Sequence, residues 1–355
     1  MLRHISMVST MNDSGDVFDA WWGWPPPVLD PAGPYADSVV VLAWALLAMG
    51  VVVTAIVVAA LYVAVKGPPH FKERLGGEKA VWIGGIAFPG FVLTALLIWG
   101  LTLTASLTEP APEDAMRVRV TGHMWWFDVE YLDASGNVLA RDANELHLPV
   151  GEPVVVELES GDVIHNFWVP NLSGKEDMIP GRTNELVIQA DRAGRFGGVC
   201  AEYCGGPHAL MGFVTVAHDR AEWANWLQDR TMIRTMDRPD IADQDVPGNI
   251  PVLTRRVAQN DAANGANGRQ LFMNSGCAAC HRVGGTEANG LVGPDLTHVG
   301  SRLTLGAGIL PNNRGTLIGW IGDSQSIKPG NRMPSYDMLS AEELEAVAIW
   351  LEQQK

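Results

Sequence analysis

Two long stretches without charge constrain this chain more than any other feature. Residues 39–65 run for 27 positions without Asp, Glu, Lys or Arg, and residues 81–107 do so for another 27. Each exceeds the ~20 residues needed to cross ~30 Å of hydrocarbon. Lipid leaves a backbone only its own hydrogen bonds, so each stretch must be a helix. The competing assignment, a pair of buried core helices, fits two runs of this length poorly. Pro89, with Gly84, Gly85 and Gly90, predicts a kink in the second helix.

Charge orients the pair. The segment between them, 66–80, carries Lys66, Lys72, Arg74 and Lys79 against Glu73 and Glu78. Residues 1–38 carry Arg3 against five aspartates. The positive segment belongs inside, which puts both termini outside. Trp21, Trp22 and Trp24 precede the first span and suit the outer interface. Neither span contains His, Asp, Glu or Cys, so neither can ligate a haem or relay protons within the bilayer. The spans anchor something, and any membrane-embedded redox chemistry needs another subunit.

The exterior part divides by composition. A length of 355 residues suggests two or three domains. Residues 1–38 form an N-terminal extracytoplasmic segment and 39–107 the helical hairpin. Residues 108–216 hold short β-rich runs at 117–121, 126–132, 153–159, 163–169, 185–189 and 212–216. Turn signals such as 134–137 separate them, which reads as a Greek-key sandwich or small barrel. Residues 217–264 contain a helix at 219–232 and then a Pro-, Asp- and Asn-rich linker from 235. Residues 265–355 read as a small helical domain. Gly268–Ser275 is a short helix, and Ser340 with Glu343 opens a final helix with a capping box. The net charge of −15 argues against a nucleic-acid partner.

Four cysteines form two close pairs, one in each exterior domain. Cys277-Ala278-Ala279-Cys280-His281 is the spacing for covalent haem attachment, two thiols for the vinyl groups and a histidine for the iron. A small disulfide, a zinc half-site or a thiol redox pair would use the same cysteines. Met333, in Asn331-Arg332-Met333-Pro334, supplies the thioether that pairs with histidine on such an iron; Met338 and Met273 compete for the role. Pro294 lies between, where a carbonyl could orient His281 through its other nitrogen. The second pair sits in a loop with Cys200, Cys204, His208 and Met211, and His165 lies on a strand pattern upstream. Thiolate, imidazole and thioether together select copper; zinc would use the Cys and His but not the methionine, and a disulfide remains open.

The span pair, acidic β-region and Cys200–Met211 loop, over roughly 25–220, resemble subunit II of the haem–copper oxidases. The resemblance implies a two-helix transmembrane hairpin, an all-β cupredoxin-like Greek-key domain and, after it, an all-α cytochrome c domain. It implies that the loop holds a dinuclear copper centre, CuA. Cys200 and Cys204 would bridge the coppers, His165 and His208 would bind one each, and Met211 would be a weak ligand. Glu202 would give its backbone carbonyl, with its side chain toward a magnesium or manganese ion shared with subunit I. The run Gly122-His123-Met124-Trp125-Trp126-Phe127 matches the family's aromatic region, which places Trp125 on the electron route; packing in a strand is the plainer role for Trp126. Phe167 stands where the family often has Trp, with Trp168 following.

The appended haem motif resembles the fusion seen in caa-type oxidases. About 30 flexible residues give a reach of ~30 Å and hold the haem domain at roughly millimolar effective concentration near its acceptor. The expected function is to take electrons from an external donor, such as a cytochrome c or an upstream respiratory complex. They would pass through haem c and CuA to subunit I, for oxygen reduction with proton pumping. The expected setting is a bacterial inner membrane, among lipid and the other oxidase subunits. Two other readings use the same residues: the matching subunit of a CuA-type nitric oxide reductase, and a membrane-anchored copper-delivery protein.

Overall fold

The structure, a computed structural model, describes residues 17–236 and 259–355. The linker expected from 235 onward therefore lies largely outside the described residues.

Among the described residues, two helices are long and apolar enough to cross a membrane, Pro34–Lys66 and Glu78–Leu107. The first outruns its uncharged stretch at the N-terminal end. Pro34 suits the first helical turn, where no partner for its missing N–H is needed, and Asp37 meets the positive end of the helix dipole. Where the second helix is expected to kink, its winding changes just before Pro89. A π-helical turn at Ile83–Ala87 leads into Phe88–Leu107. Proline cannot donate to residue 85 and its ring crowds that carbonyl, and a widened turn just before it absorbs the mismatch. Val51, Leu61 and Phe91 all point outward on these helices, as side chains facing lipid do.

Ten strands form two five-stranded sheets. One has the order β3 (Val138–Ala143), β2 (Trp126–Leu132), β1 (Met116–His123), β5 (Val154–Ser160), β8 (Asn184–Ile188). The other runs β4 (Glu145–Pro149), β10 (Gly212–His218), β9 (Gly194–Cys200), β6 (His165–Trp168), β7 (Lys175–Met178). Alternation along β1 turns Val118 and Val120 inward, onto a shared core with Phe127, Leu146, Leu158 and Phe213 from both sheets. This is the cupredoxin-like sandwich. Trp21 does not sit at the outer membrane interface as expected. Its indole donates to Gly198 O at 3.1 Å and straps the N-terminal segment to β9, whereas Trp22 and Trp24 are exposed.

The helix Arg220–Met236 follows β10 and lays Trp226 edge-on against Tyr131, centroids 5.0 Å apart. The C-terminal domain is helical: Gln259–Asn274, Arg314–Gly322 and Ala341–Glu352 surround a core containing Phe272, Leu317 and Trp350. The first of these begins nine residues before the expected Gly268. The last is capped reciprocally, Ser340 N–H to Glu343 Oε2 at 2.8 Å and Glu343 N–H to Ser340 Oγ at 3.3 Å.

The helical domain is seated on the sandwich. Arg302 Nε donates to the buried Asp142 Oδ1 on β3 at 2.7 Å. Glu145 accepts from the backbone N–H groups of Leu303 and Thr304. Arg230 donates to Ser301 Oγ at 2.9 Å, and Gly212 N–H to Ala307 O at 3.0 Å.

One buried histidine, His298, and one half-buried, His218, make this assembly sensitive to acid. Burial, and then Arg230, draws His298 down to about 4; burial, and then His147, does the same to His218. An unfolded chain protonates both near 6.5, so their contribution is fully present above that pH and is lost as pH falls toward 4. Asp128, which burial holds up at about 6, gains a proton in the folded state over the same range and offsets one of the two. Thermal melts should give a lower midpoint at pH 4.5 than at pH 7. Equal midpoints would mean that these rings titrate normally.

Candidate metal and haem centres

The copper-type loop follows from strand pairing. β6 runs antiparallel to β9 with Phe167 opposite Cys200, which sets His165, at the start of β6, beside the end of β9. The chain then turns back through a 3₁₀ turn at His208–Leu210 into β10. Cys200 N–H donates to Met211 O at 3.0 Å and closes the loop. Gly205 takes φ +93°, a region that costs other residues, and a side chain at Gly206 would strike the Trp125 ring at 2.9 Å.

Six candidate donors from the sequence converge here. Cys200 Sγ and Cys204 Sγ are 3.7 Å apart. His165 Nδ1 is 3.9 Å from Cys200 Sγ, and His208 Nδ1 is 3.4 Å from Cys204 Sγ. Met211 Sδ is 3.8 Å from Cys204 Sγ, and Glu202 O lies 3.2 Å from Cys200 Sγ. His165, Cys200 and Cys204 alone place their donor atoms within 4.8 Å of one another. The Glu202 side chain is exposed.

The two thiols cannot both ionise unaided. Burial, and then the Cys200 sulfur, pushes Cys204 up to about 12. Burial also opposes ionisation of Cys200, but the His165 ring and the backbone at Asn166 and Glu202 outweigh it and hold that thiol below its usual range. Two close sulfurs sharing a proton are a site into which soft metal cations fit, because the cation supplies the positive charge that both thiolates need. The donor set fits a dinuclear copper centre.

Sequence reasoning did not single out Asp162. Its Oδ1 lies 2.8 Å from His165 Nε2, and its Oδ2 accepts from Met124 N–H at 2.8 Å. The carboxylate fixes the ring with Nδ1 toward the sulfurs, an orientation common for histidine ligands. Its place three residues before a candidate ligand was the available signal. Arg332 reaches the same carboxylate at 3.7 Å from the helical domain.

The haem-type residues line a cavity of about 370 Å³, with Cys277, Cys280 and His281 on one side and Met333 on its border. His281 Nδ1 donates to Pro294 O at 2.8 Å, which leaves Nε2 for an iron. Burial lowers its proton affinity despite that bond, so the ring is neutral. Gly293 must lack a side chain, since a Cβ would lie 2.6 Å from His281 Cε1. Met333 is held through its backbone: its N–H donates to Asn331 Oδ1 at 2.7 Å, and its carbonyl accepts from Ser324 Oγ at 2.9 Å. Met338 is 72% exposed and Met273 packs in the domain core. The lining fits a haem, which Cys277 and Cys280 would hold covalently and His281 and Met333 would ligate.

Trp125 lines the same cavity with Met124 and Trp126, and its Nε1 donates to Cys204 O at 3.1 Å.

These features define a membrane-anchored protein that carries a cupredoxin-like domain and a cytochrome c domain. The family described as "Cytochrome C oxidase subunit II, periplasmic domain" matches residues 132–218, and "Cytochrome c" matches 265–355. Cytochrome c oxidase subunit 2 of Alkalihalophilus pseudofirmus is 35% identical over 91% of this chain and 89% of its own. That of Bacillus subtilis is 29% identical over 80% of this chain and 77% of its own. The crystal structure of the periplasmic domain of subunit II of cytochrome oxidase from Bradyrhizobium japonicum is 28% identical. The match covers 35% of this chain and 98% of that one, with a TM-score of 0.32. The chain belongs to the cytochrome c oxidase subunit 2 family, whose members are parts of haem–copper oxidoreductase complexes.

Proposed function

We propose that this chain is the subunit through which electrons reach a terminal cytochrome c oxidase, as a two-span protein of a bacterial inner membrane with its termini and redox domains outside. The spans would be 39–107, the copper domain 108–216 and the haem domain 265–355. The haem would be held by Cys277, Cys280, His281 and Met333. Copper would be held by Cys200, Cys204, His165, His208, Met211 and the Glu202 carbonyl. When bound, these groups supply one-electron carriage from an external cytochrome c or respiratory complex toward subunit I, where oxygen is reduced to water with proton translocation.

The chain's own residues do the positioning. Asp162 and Pro294 fix the two histidine rings, so neither needs to reorient when charge changes. The apolar cavity wall around His281 and Met333 excludes water and sets the local dielectric. Trp125 spans the gap: it lines the cavity, and its Nε1 donates to Cys204 O. That shared residue is the observation that carries the proposal. The exposed Glu202 carboxylate is free to meet a magnesium or manganese ion at the subunit I face.

The test is the order of reduction. When the intact, metal-loaded complex is mixed anaerobically with a reduced soluble cytochrome c, the haem c absorbance should change before the near-infrared CuA absorbance. Copper bleaching first would overturn the route.

A further inference from the structure

Lys328 is an expensive residue to bury. It is 3% exposed, and its ammonium donates to two backbone carbonyls, Trp125 O at 2.8 Å and Gly306 O at 2.9 Å. Gly306 belongs to its own helical domain, and Trp125 belongs to the sandwich. Among the described residues, no carboxylate pairs with it. Burial draws the ammonium down to about 7, and only the Cys204 sulfur offsets this. A buried charge without a counter-ion costs several kcal/mol after relaxation. Two good carbonyl acceptors recover part of that, since hydrogen bonds from charged donors are the strong ones. An apolar side chain would bury here at less cost, so stability does not explain the choice.

Position does. Lys328 borders the haem cavity together with Trp125 and Met333. Trp125 in turn donates to Cys204 O at 3.1 Å. The hydrogen bonds run Lys328 to Trp125 to Cys204, from the haem crevice to the copper loop, and cross the domain boundary once.

We propose that Lys328 is a positioning residue that seats the haem crevice on the Trp125 backbone and so fixes the haem domain against the copper loop. The proposal rests on the electron route given above. Gly212 N–H to Ala307 O and Arg332 with Asp162 also reach residues that line the cavity, whereas Arg302 with Asp142 and Arg230 with Ser301 lie on β3 and the 220–236 helix. Lys328 is the contact that ties the cavity to the Trp125 backbone.

The test uses the full oxidase complex with Lys328→Met, whose apolar chain fits a buried site without stranding a charge. Hydrogen–deuterium exchange should rise in segments 122–128 and 304–310. Photo-initiated transfer from haem c to CuA should slow severalfold, because tunnelling between two centres weakens as their separation grows. That loss should exceed what the measured potentials of the two centres account for, with haem and copper spectra unchanged. Unaltered exchange in Lys328→Met would overturn the seat whether or not the route holds. An unaltered rate with raised exchange would overturn the positioning role. A wild-type complex with no haem-to-copper transfer would overturn the route itself, and the role of Lys328 with it.

Discussion

Cys204→Ser should abolish the dinuclear copper centre while leaving the covalent haem in place. Cys204 is the hub of the donor cluster: its sulfur lies 3.7 Å from Cys200 Sγ, 3.4 Å from His208 Nδ1 and 3.8 Å from Met211 Sδ. A hydroxyl is nearly the same size, so the loop should keep its hydrogen bonds and the sandwich its core. It is a hard donor, however, and it does not ionise in a buried site where even the thiol is pushed up to about 12. With only the Cys200 thiolate left, the site loses one of its two bridges and half of its thiolate charge, too little to hold two cations together. Copper content should fall to at most one ion per chain, and the mixed-valence copper EPR signal should vanish. The haem spectrum should not change, because Cys277 and Cys280 are untouched. An unaltered EPR signal would refute the bridging role of Cys204.

The features legible in the sequence were those that depend on local spacing. The uncharged runs became helices because hydropathy over ~20 residues needs no tertiary context. The copper loop and the haem motif were legible because Cys200, Cys204, His208 and Met211, and likewise Cys277, Cys280 and His281, lie within a few residues of one another, whereas His165 and Met333 come from elsewhere in the chain. Strands failed where composition and environment conflict. β9, Gly194–Cys200, has three glycines in seven residues, so its β-propensity is poor, yet flanking strands and the packing of Trp21 and Phe213 hold it. β3, Val138–Ala143, was missed because Arg141 and Asp142 break the apolar alternation; Asp142 is fully buried because a partner covers it. That partner, Arg302, lies 160 residues away, and no periodicity announces such a pair. The same holds for Lys328 and Trp125, 203 residues apart. The sequence reading therefore gave the haem domain a flexible tether, and the contacts add a specific seat at its end.

Asp142→Asn should undo that seat more than any other single change to it. The carboxylate is 0% exposed and accepts from Arg302 Nε at 2.7 Å, with Arg230 Nη2 at 3.9 Å. Burial pushes Asp142 up, but Arg302 and then Arg230 outweigh it and hold the carboxyl below its ordinary range. Asparagine keeps the shape and removes the charge. Two guanidinium groups then lie in a low-dielectric seam without their counter-ion, which typically costs about 3–5 kcal/mol. Arg302 belongs to the helical domain and Asp142 to the sandwich, so much of the cost falls on docking rather than on either fold. The docked-to-undocked ratio should drop by about 10²–10³-fold. Limited proteolysis should then cut between the domains sooner, while the haem and copper spectra stay native. The paired replacement Asp142→Leu with Arg302→Met separates charge from shape. It removes the desolvation costs of Asp142 and Arg302 and leaves Arg230 with Ser301 Oγ as its partner, so docking should recover in part. Proteolysis of Asp142→Asn at the parental rate would show that solvent reaches the seam and that the ion pair contributes little to holding the haem domain in place.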